Sequence, residues 1–302
     1  MSMSYISRSL ILGTVGRTSK HESESVMIKD IVVNLAVDSS RDPACYYAVS
    51  AAATLGIHLR GVAFSYEPIA YGTVFDDMSP AFIDAQREAN EHAAKAAVAR
   101  FGEMVQGTGV LSEAQTITAS AGGASDLFAR IARVHDLSIV CQAEHDAAIA
   151  ESLIIEGALF SSGRPVIVVP YIQTEPMKLD RILLCWDGSR SAARAISDAT
   201  PFLERSKSVE IITIVSKDRN KKEIAGADIA QHLARHQLNV TLKQIVAPDV
   251  DVPNVILSHA ADSATDLIVM GGYGHSRLRE FVLGGATRGI LESMTVPVLM
   301  SH

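Results

Sequence analysis

The sequence predicts an α/β protein made of two tandem, open, parallel sheets with helices on both faces. Three observations predict it. From residue 28 onward, short apolar runs of strand length alternate with amphipathic or Ala-rich runs of helix length. The alternation occurs twice: Asp38, Ser40 and Arg41 recur as Asp187, Ser189 and Arg190, a lag of 187 − 38 = 149, and Asp136-Leu137 recurs as Asp266-Leu267, a lag of 266 − 136 = 130. Between the last two apolar runs, glycines crowd together at Gly271, Gly272, Gly274, Gly284 and Gly285. Glycine at a strand's carboxyl end lets backbone approach a ligand without an intervening Cβ.

Taken in order, residues 28–37 read as a strand ending in the turn Asp38 to Arg41. An Ala-rich helix follows over about 43–55, with Pro43 at its start, where a missing N–H costs nothing. Residues 57–64 form the next strand. A long loop, 65–77, carries Tyr66, Tyr71 and Phe75, and Ser79-Pro80 opens a helix reaching about residue 106. Strand 114–119, helix 124–134, strand 137–141, helix 147–160 and strand 165–170 complete the first half, and a link containing Pro176 joins the halves. The second half repeats the plan: strand 179–186, a helix to about 203, strand 209–216, helix 229–236, strand 240–246, helix 252–261, strand 266–270, the glycine stretch, a helix and a last strand at 297–301. The βα succession implies right-handed crossovers.

A chain of 302 residues accommodates two cores of about 150 residues each. The domains expected are 27–171 and 179–302, preceded by a leader, 1–26, rich in Ser and charge and without structure of its own. The leader's apolar core is too short for a membrane span and lacks a cleavage pattern. The net charge of −7 argues against nucleic acid and anionic membranes as partners. Cys45, Cys141 and Cys185 are widely spaced and odd in number, which suits buried thiols in the cytoplasm rather than a disulfide framework or metal site.

The chemistry concentrates after two strands of the second half. Asp266 to Met270 is an apolar run leading into Gly271; Ala286 and Thr287 begin the helix after Gly284-Gly285. Exposed N–H groups at such a helix start favour an anion, so this is a candidate phosphate seat. Asp187, with Gly188 and Ser189, ends the first strand, either capping the next helix or contacting a ligand. Trp186 is the single Trp, read as core rather than as a platform for a base. His275, Arg277 and Arg279 lie beside the seat and read as a solvated run, with one arginine able to pair a phosphate. There is no G-x4-G-K-[ST], G-x-S-x-G, H-E-x-x-H or C-x2-C pattern, so the sequence carries no familiar catalytic machinery.

The spacing Gly271-x2-Gly274-x9-Gly284, followed by a helix and a Val-Pro-Val strand, resembles the nucleotide-binding signature of the universal stress protein family. The family places Ser or Thr where this chain has Gly285, a departure that removes one hydroxyl donor; Thr287 keeps a hydroxyl nearby. The resemblance, in its tandem-domain form, implies a Rossmann-like, adenine nucleotide alpha hydrolase-like fold whose two domains make an internal pseudo-dimer. It implies ATP or a related adenine nucleotide as ligand, with Mg2+ as its companion ion, and admits a homodimer of the tandem chain. Asp187 would contact the nucleoside, Gly188 and Ser189 would form the turn, backbone at Val215 would read adenine, Gly271, Gly274, Gly284, Gly285, Ala286 and Thr287 would form the phosphate seat, and Met270 would complete the nucleotide-binding set. A stress-response regulator is the leading function; a slow ATPase and a nucleotide-independent scaffold are the alternatives. The first half keeps its Asp38 turn but not the glycines, so it is expected to be a degenerate copy.

Overall fold

The computed structural model describes residues 9–11, 28–37, 41–68, 80–144, 149–215, 226–246, 251–272 and 285–302. The chain forms two compact units, one of residues 28–177 and one of 178–302 together with 1–27. A three-residue strand, β1 (Ser9–Ile11), belongs to the latter.

The unit of residues 28–177 runs β2 (Asp30–Asn34), α1 (Pro43–Leu55), β3 (His58–Tyr66), α2 (Pro80–Val105), β4 (Ser112–Ala119), α3 (Ala121–Ala132), β5 (Leu137–Cys141), α4 (Ile149–Glu156) and β6 (Val166–Val169). Its strands are parallel, in the order β6-β5-β2-β3-β4. Ile31, Val32, Val33, Leu137, Ile139 and Val166 to Val169 are inaccessible to solvent, as continuous apolar strands must be when helices cover both faces.

The second unit repeats the architecture: β7 (Arg181–Cys185), α5 (Arg190–Asp198), α6 (Thr200–Leu203), β8 (Ser208–Val215), α7 (Ala227–Arg235), β9 (Val240–Val246), α8 (Val252–Asp262), β10 (Leu267–Gly271), α9 (Gly285–Ser293) and β11 (Val298–Ser301). The order is β1-β9-β8-β7-β10-β11, parallel except for β1. Among the described residues, no helix is long and apolar enough to cross a membrane.

Three local differences from the sequence expectation have physical causes. The helix expected to reach residue 203 breaks after Asp198 into α5 and α6, because Pro201 offers no N–H to the carbonyl four residues before it. The helix expected over 147–160 ends as α4 at Glu156 and continues as a π-helical turn, Gly157–Ser161. A Cβ on Gly157 would lie 2.5 Å from Ser125 Oγ and 2.8 Å from the Ser125 carbonyl oxygen, so this turn presses directly on α3. Within the leader, expected to lack structure, Ser9 to Ile11 pairs antiparallel with Thr241 to Lys243 and supplies partners to the edge of β9.

The repeated aspartates do the same work in both units. Asp136 Oδ2 accepts the backbone N–H groups of Lys29 and Asp30, and Asp266 Oδ2 accepts that of Arg181, each tying a β5 or β10 entrance to the central strand.

Candidate functional site

In the second unit, β8 and β9 lie to one side of β7 while β10 and β11 lie to the other, so the strand order reverses between β7 and β10. Ligand crevices in open α/β sheets open beyond the carboxyl ends of such a pair. With right-handed crossovers, α5 to α7 then cover one face and α8 and α9 the other.

Asp187 follows β7 and is exposed. Its Oδ1 accepts the Ser189 N–H at 2.8 Å, and Gly188 between them takes φ +79°, a conformation a side chain would strain. Ser189, not Asp187, caps α5: its Oγ accepts the Ala192 N–H at 3.1 Å. Asp187 is thereby held as an acceptor standing in front of the helix, outside its hydrogen-bond ladder. Ser189 Oγ also lies 3.1 Å from Ser191 Oγ.

Gly271 closes β10 against this turn. A Cβ there would stand 2.5 Å from the Ala192 nitrogen, 2.7 Å from the Ser191 carbonyl carbon and 2.7 Å from Ser191 Oγ. The sequence reading reserved the space of the missing side chain for a ligand; the start of α5 occupies it. A continuous set of contacts therefore runs from Asp187 through Ser189 and Ser191 to Gly271. Sequence reasoning did not single out Ser191, whose only signal was its place in the first turn after Ser189.

The other candidate residues are distributed around this centre. Val215 is the buried last residue of β8, in register with Val246. Met270 is buried in β10 opposite Met300. Gly285, Ala286 and Thr287 form the first turn of α9. Gly285 is exposed, and a Cβ there would meet nothing within 4 Å. Thr287, whose hydroxyl was expected near the phosphates, is 3 % exposed. Gly274, Gly284, His275, Arg277 and Arg279 lie outside the described residues, as does Asp38 in the first half. Trp186 is half-buried, and its Cδ1 lies 3.4 Å from where a Gly226 Cβ would stand, which puts the indole against the start of α7.

Residues 178–302 match the family model described as the universal stress protein family. The second half of the chain is a universal stress protein domain. The chain is also 27% identical over 148 residues to Universal stress protein Slr1230 of Synechocystis sp.. That match covers 48% of this chain and 49% of the relative, so it spans about half the relative's length. Among solved structures, a universal stress protein from Archaeoglobus fulgidus aligns with 90% of this chain and 97% of its own at a TM-score of 0.65 and 13% identity. A Pseudomonas aeruginosa protein titled as functionally unknown aligns with 91% and 92% at a TM-score of 0.58 and 14% identity. At these identities, the structural likeness concerns the fold.

Set beside the universal stress protein domain, the first unit has the same strand order and a different crevice. Arg181 and Asp30 occupy matching strand positions, a lag of 181 − 30 = 151, whereas the helix caps Ser189 and Asp42 are 189 − 42 = 147 apart. The turn after β2 is therefore four residues longer than the turn after β7. Asp42 Oδ1 caps α1 through the Cys45 N–H at 2.9 Å, and its Oδ2 accepts the Ala36 N–H at 2.7 Å. Cys141 replaces Gly271: it faces Val169 of β6 as Gly271 faces Ser301 of β11. Burial, then the charges of Asp42, Glu151 and Glu144, push the Cys141 thiol up to about 12. Burial and Asp187 do the same to Cys185, again up to about 12, and burial raises Cys45 further. Raised in this way, all three thiols are held in the protonated form at neutral pH.

Proposed function

We propose that the second half binds an adenine nucleotide, ATP or a close relative, and that the protein acts in the cytoplasm as a stress-response regulator or scaffold. The contact path from Asp187 through Ser189 and Ser191 to Gly271 carries this reading. It places one oriented carboxylate and two hydroxyls at the reversal of strand order, where the glycine signature begins. Asp187 suits a nucleoside's hydroxyl or amino donors, because one of its oxygens is held by Ser189 while the residue stays exposed. The first turn of α9 offers N–H groups to phosphate, and the open space at Gly285 lets an anion come close.

Both halves are read as universal stress protein domains in tandem, with binding confined to the second. In the first, Cys141 stands where the second has Gly271, and the carboxylates of Glu144 and Glu151 are close enough to help raise its thiol. A polyphosphate there would meet repulsion, not donors. Among solved universal stress proteins, one is a complex with cAMP and one from Arabidopsis thaliana has AMP bound. Among the described residues, no group of three or more His, Cys, Asp or Glu could hold a metal ion. Mg2+ would enter on the phosphates, and the exposed Asp187 offers it a protein carboxylate, in keeping with the one or two carboxylates such sites use.

Heat-denaturing freshly purified protein and chromatographing the supernatant tests the reading. An adenine nucleotide near one equivalent is expected from wild type and none from Gly284→Asp. Release of no nucleotide, together with no binding of added ATP, contradicts it.

A further inference from the structure

Ser301 and His302 hold the point where β10 enters the glycine stretch. Gly272 donates its N–H to the Ser301 carbonyl at 2.8 Å, and the Gly272 carbonyl oxygen lies 3.0 Å from His302 Nδ1. A carbonyl can only accept, so His302 is the donor through Nδ1–H. Ser301 is itself anchored: it is 2 % exposed, and its Oγ donates to Asp198 Oδ2 at 2.9 Å. Arg194 Nε reaches the same oxygen at 2.8 Å. Both polar backbone groups of Gly272 are thus fixed by β11 and its continuation, which in turn is tied to the end of α5.

The first unit shows what is particular here. Gln142 occupies the position of Gly272, and its N–H donates to Val169 in the same way at 2.7 Å. Where the second unit has His302, the first has Pro170, which has neither an N–H nor a side-chain donor for the Gln142 carbonyl. His302 therefore gives the Gly272 carbonyl a donor that Pro170 cannot give at the matching place in the first unit. Glycine has the widest backbone freedom of any residue, so a site built on consecutive glycines loses more entropy when a ligand orders it. With its N–H and its carbonyl both held, the backbone at Gly272 is set before a ligand arrives.

We infer that His302 is a positioning residue for the nucleotide site, pre-ordering Gly271-Gly272 by donating Nδ1–H to the Gly272 carbonyl. The inference rests on the nucleotide reading above and adds to it a residue outside the glycine signature. His302→Phe keeps a ring and removes the donor; His302→Asn places an amide N–H at similar reach and restores it.

ATP affinity is measured for wild type, His302→Phe and His302→Asn, with amide hydrogen exchange over residues 267–285 followed in nucleotide-free protein. The phenylalanine variant should bind about five- to tenfold more weakly, the loss of one neutral hydrogen bond. It should also exchange faster over that segment, with an unchanged melting temperature, and the asparagine variant should recover both. Equal affinity for wild type and His302→Phe, or equal weakening in both variants, overturns the inference. If wild type itself binds no ATP, the nucleotide reading falls instead, and the exchange comparison still decides whether His302 holds Gly272.

Discussion

A Cβ on Gly271 would stand 2.5 Å from the backbone nitrogen of Ala192. Backbone cannot swing aside as the end of a flexible side chain can, so the strand end and the helix start could accept a side chain only by separating. Gly271→Ala should therefore destabilise the protein by about 1–3 kcal/mol, the usual cost of overpacking, and should weaken nucleotide binding as Asp187 and the glycine stretch move apart. Urea unfolding monitored by circular dichroism, alongside an ATP titration, checks both effects. Wild-type stability in this variant would show that α5 is not so tightly seated.

Gly285 is the opposite case. A Cβ there meets nothing within 4 Å, and its backbone is not among the positive-φ glycines. Gly285→Ser should change stability by less than about 0.5 kcal/mol, as surface substitutions usually do. Added to the first turn of α9, the hydroxyl should tighten ATP binding about three- to tenfold through one more hydrogen bond to phosphate. Calorimetry on the two proteins measures the change; an affinity equal to wild type would place the phosphates away from α9.

The repeat and the strand succession are legible in the sequence because buried parallel strands are written as uninterrupted apolar runs, and these register correctly at Asp136 and Asp266. The turn lengths are not. A single lag of 149, taken from Asp38 and Asp187, falls between the strand lag of 151 and the cap lag of 147, because a similar short motif sits at a different point of a longer turn. In the last helices, the sequence alone lets Gly157 pair with either Gly285 or Gly289 of the second half. The structure favours pairing Gly157 with Gly289, since a Cβ on either would strike a neighbouring helix, on Ser125 and on Pro253 respectively. That pairing puts Ile155, not a hydroxyl residue, in the place of Thr287. The spacing of the glycines was visible, but the reason for Gly271 was not, because it depends on how deeply α5 packs. Nor could any local pattern show that His302 reaches back to Gly272, 30 residues earlier.

The cysteines give a prediction about reactivity. With Cys141 and Cys185 pushed up to about 12 and Cys45 raised further, all by burial first, thiolate is scarce at pH 8. Native protein should resist iodoacetamide, while protein in concentrated urea should take up three labels, one for each cysteine. Intact mass spectrometry counts them. Rapid labelling of the native protein would contradict the packing around these thiols.

Glu210 supplies a pH dependence. Burial alone would raise its carboxyl, but a 2.8 Å hydrogen bond from His259 Nε2, the His259 charge and Lys243 outweigh burial and hold it below its ordinary value of 4.5. A depressed carboxyl contributes stability that is present above pH 4.5 and lost as pH falls through the lower folded value. Glu210→Gln should cost about 1 kcal/mol at pH 7, and its urea midpoint should converge on wild type in strong acid. Unfolding curves between pH 3 and 7 follow the difference; a constant offset across that range would contradict the sign.

The central claim is that one of the two domains holds the nucleotide. Calorimetric titration of nucleotide-stripped protein with ATP in Mg2+ tests it most directly. The account predicts saturation at one equivalent per chain, abolished by Gly284→Asp with the circular dichroism spectrum intact, because a carboxylate in the signature repels phosphate. Saturation at two equivalents, or one equivalent that survives Gly284→Asp, would contradict it.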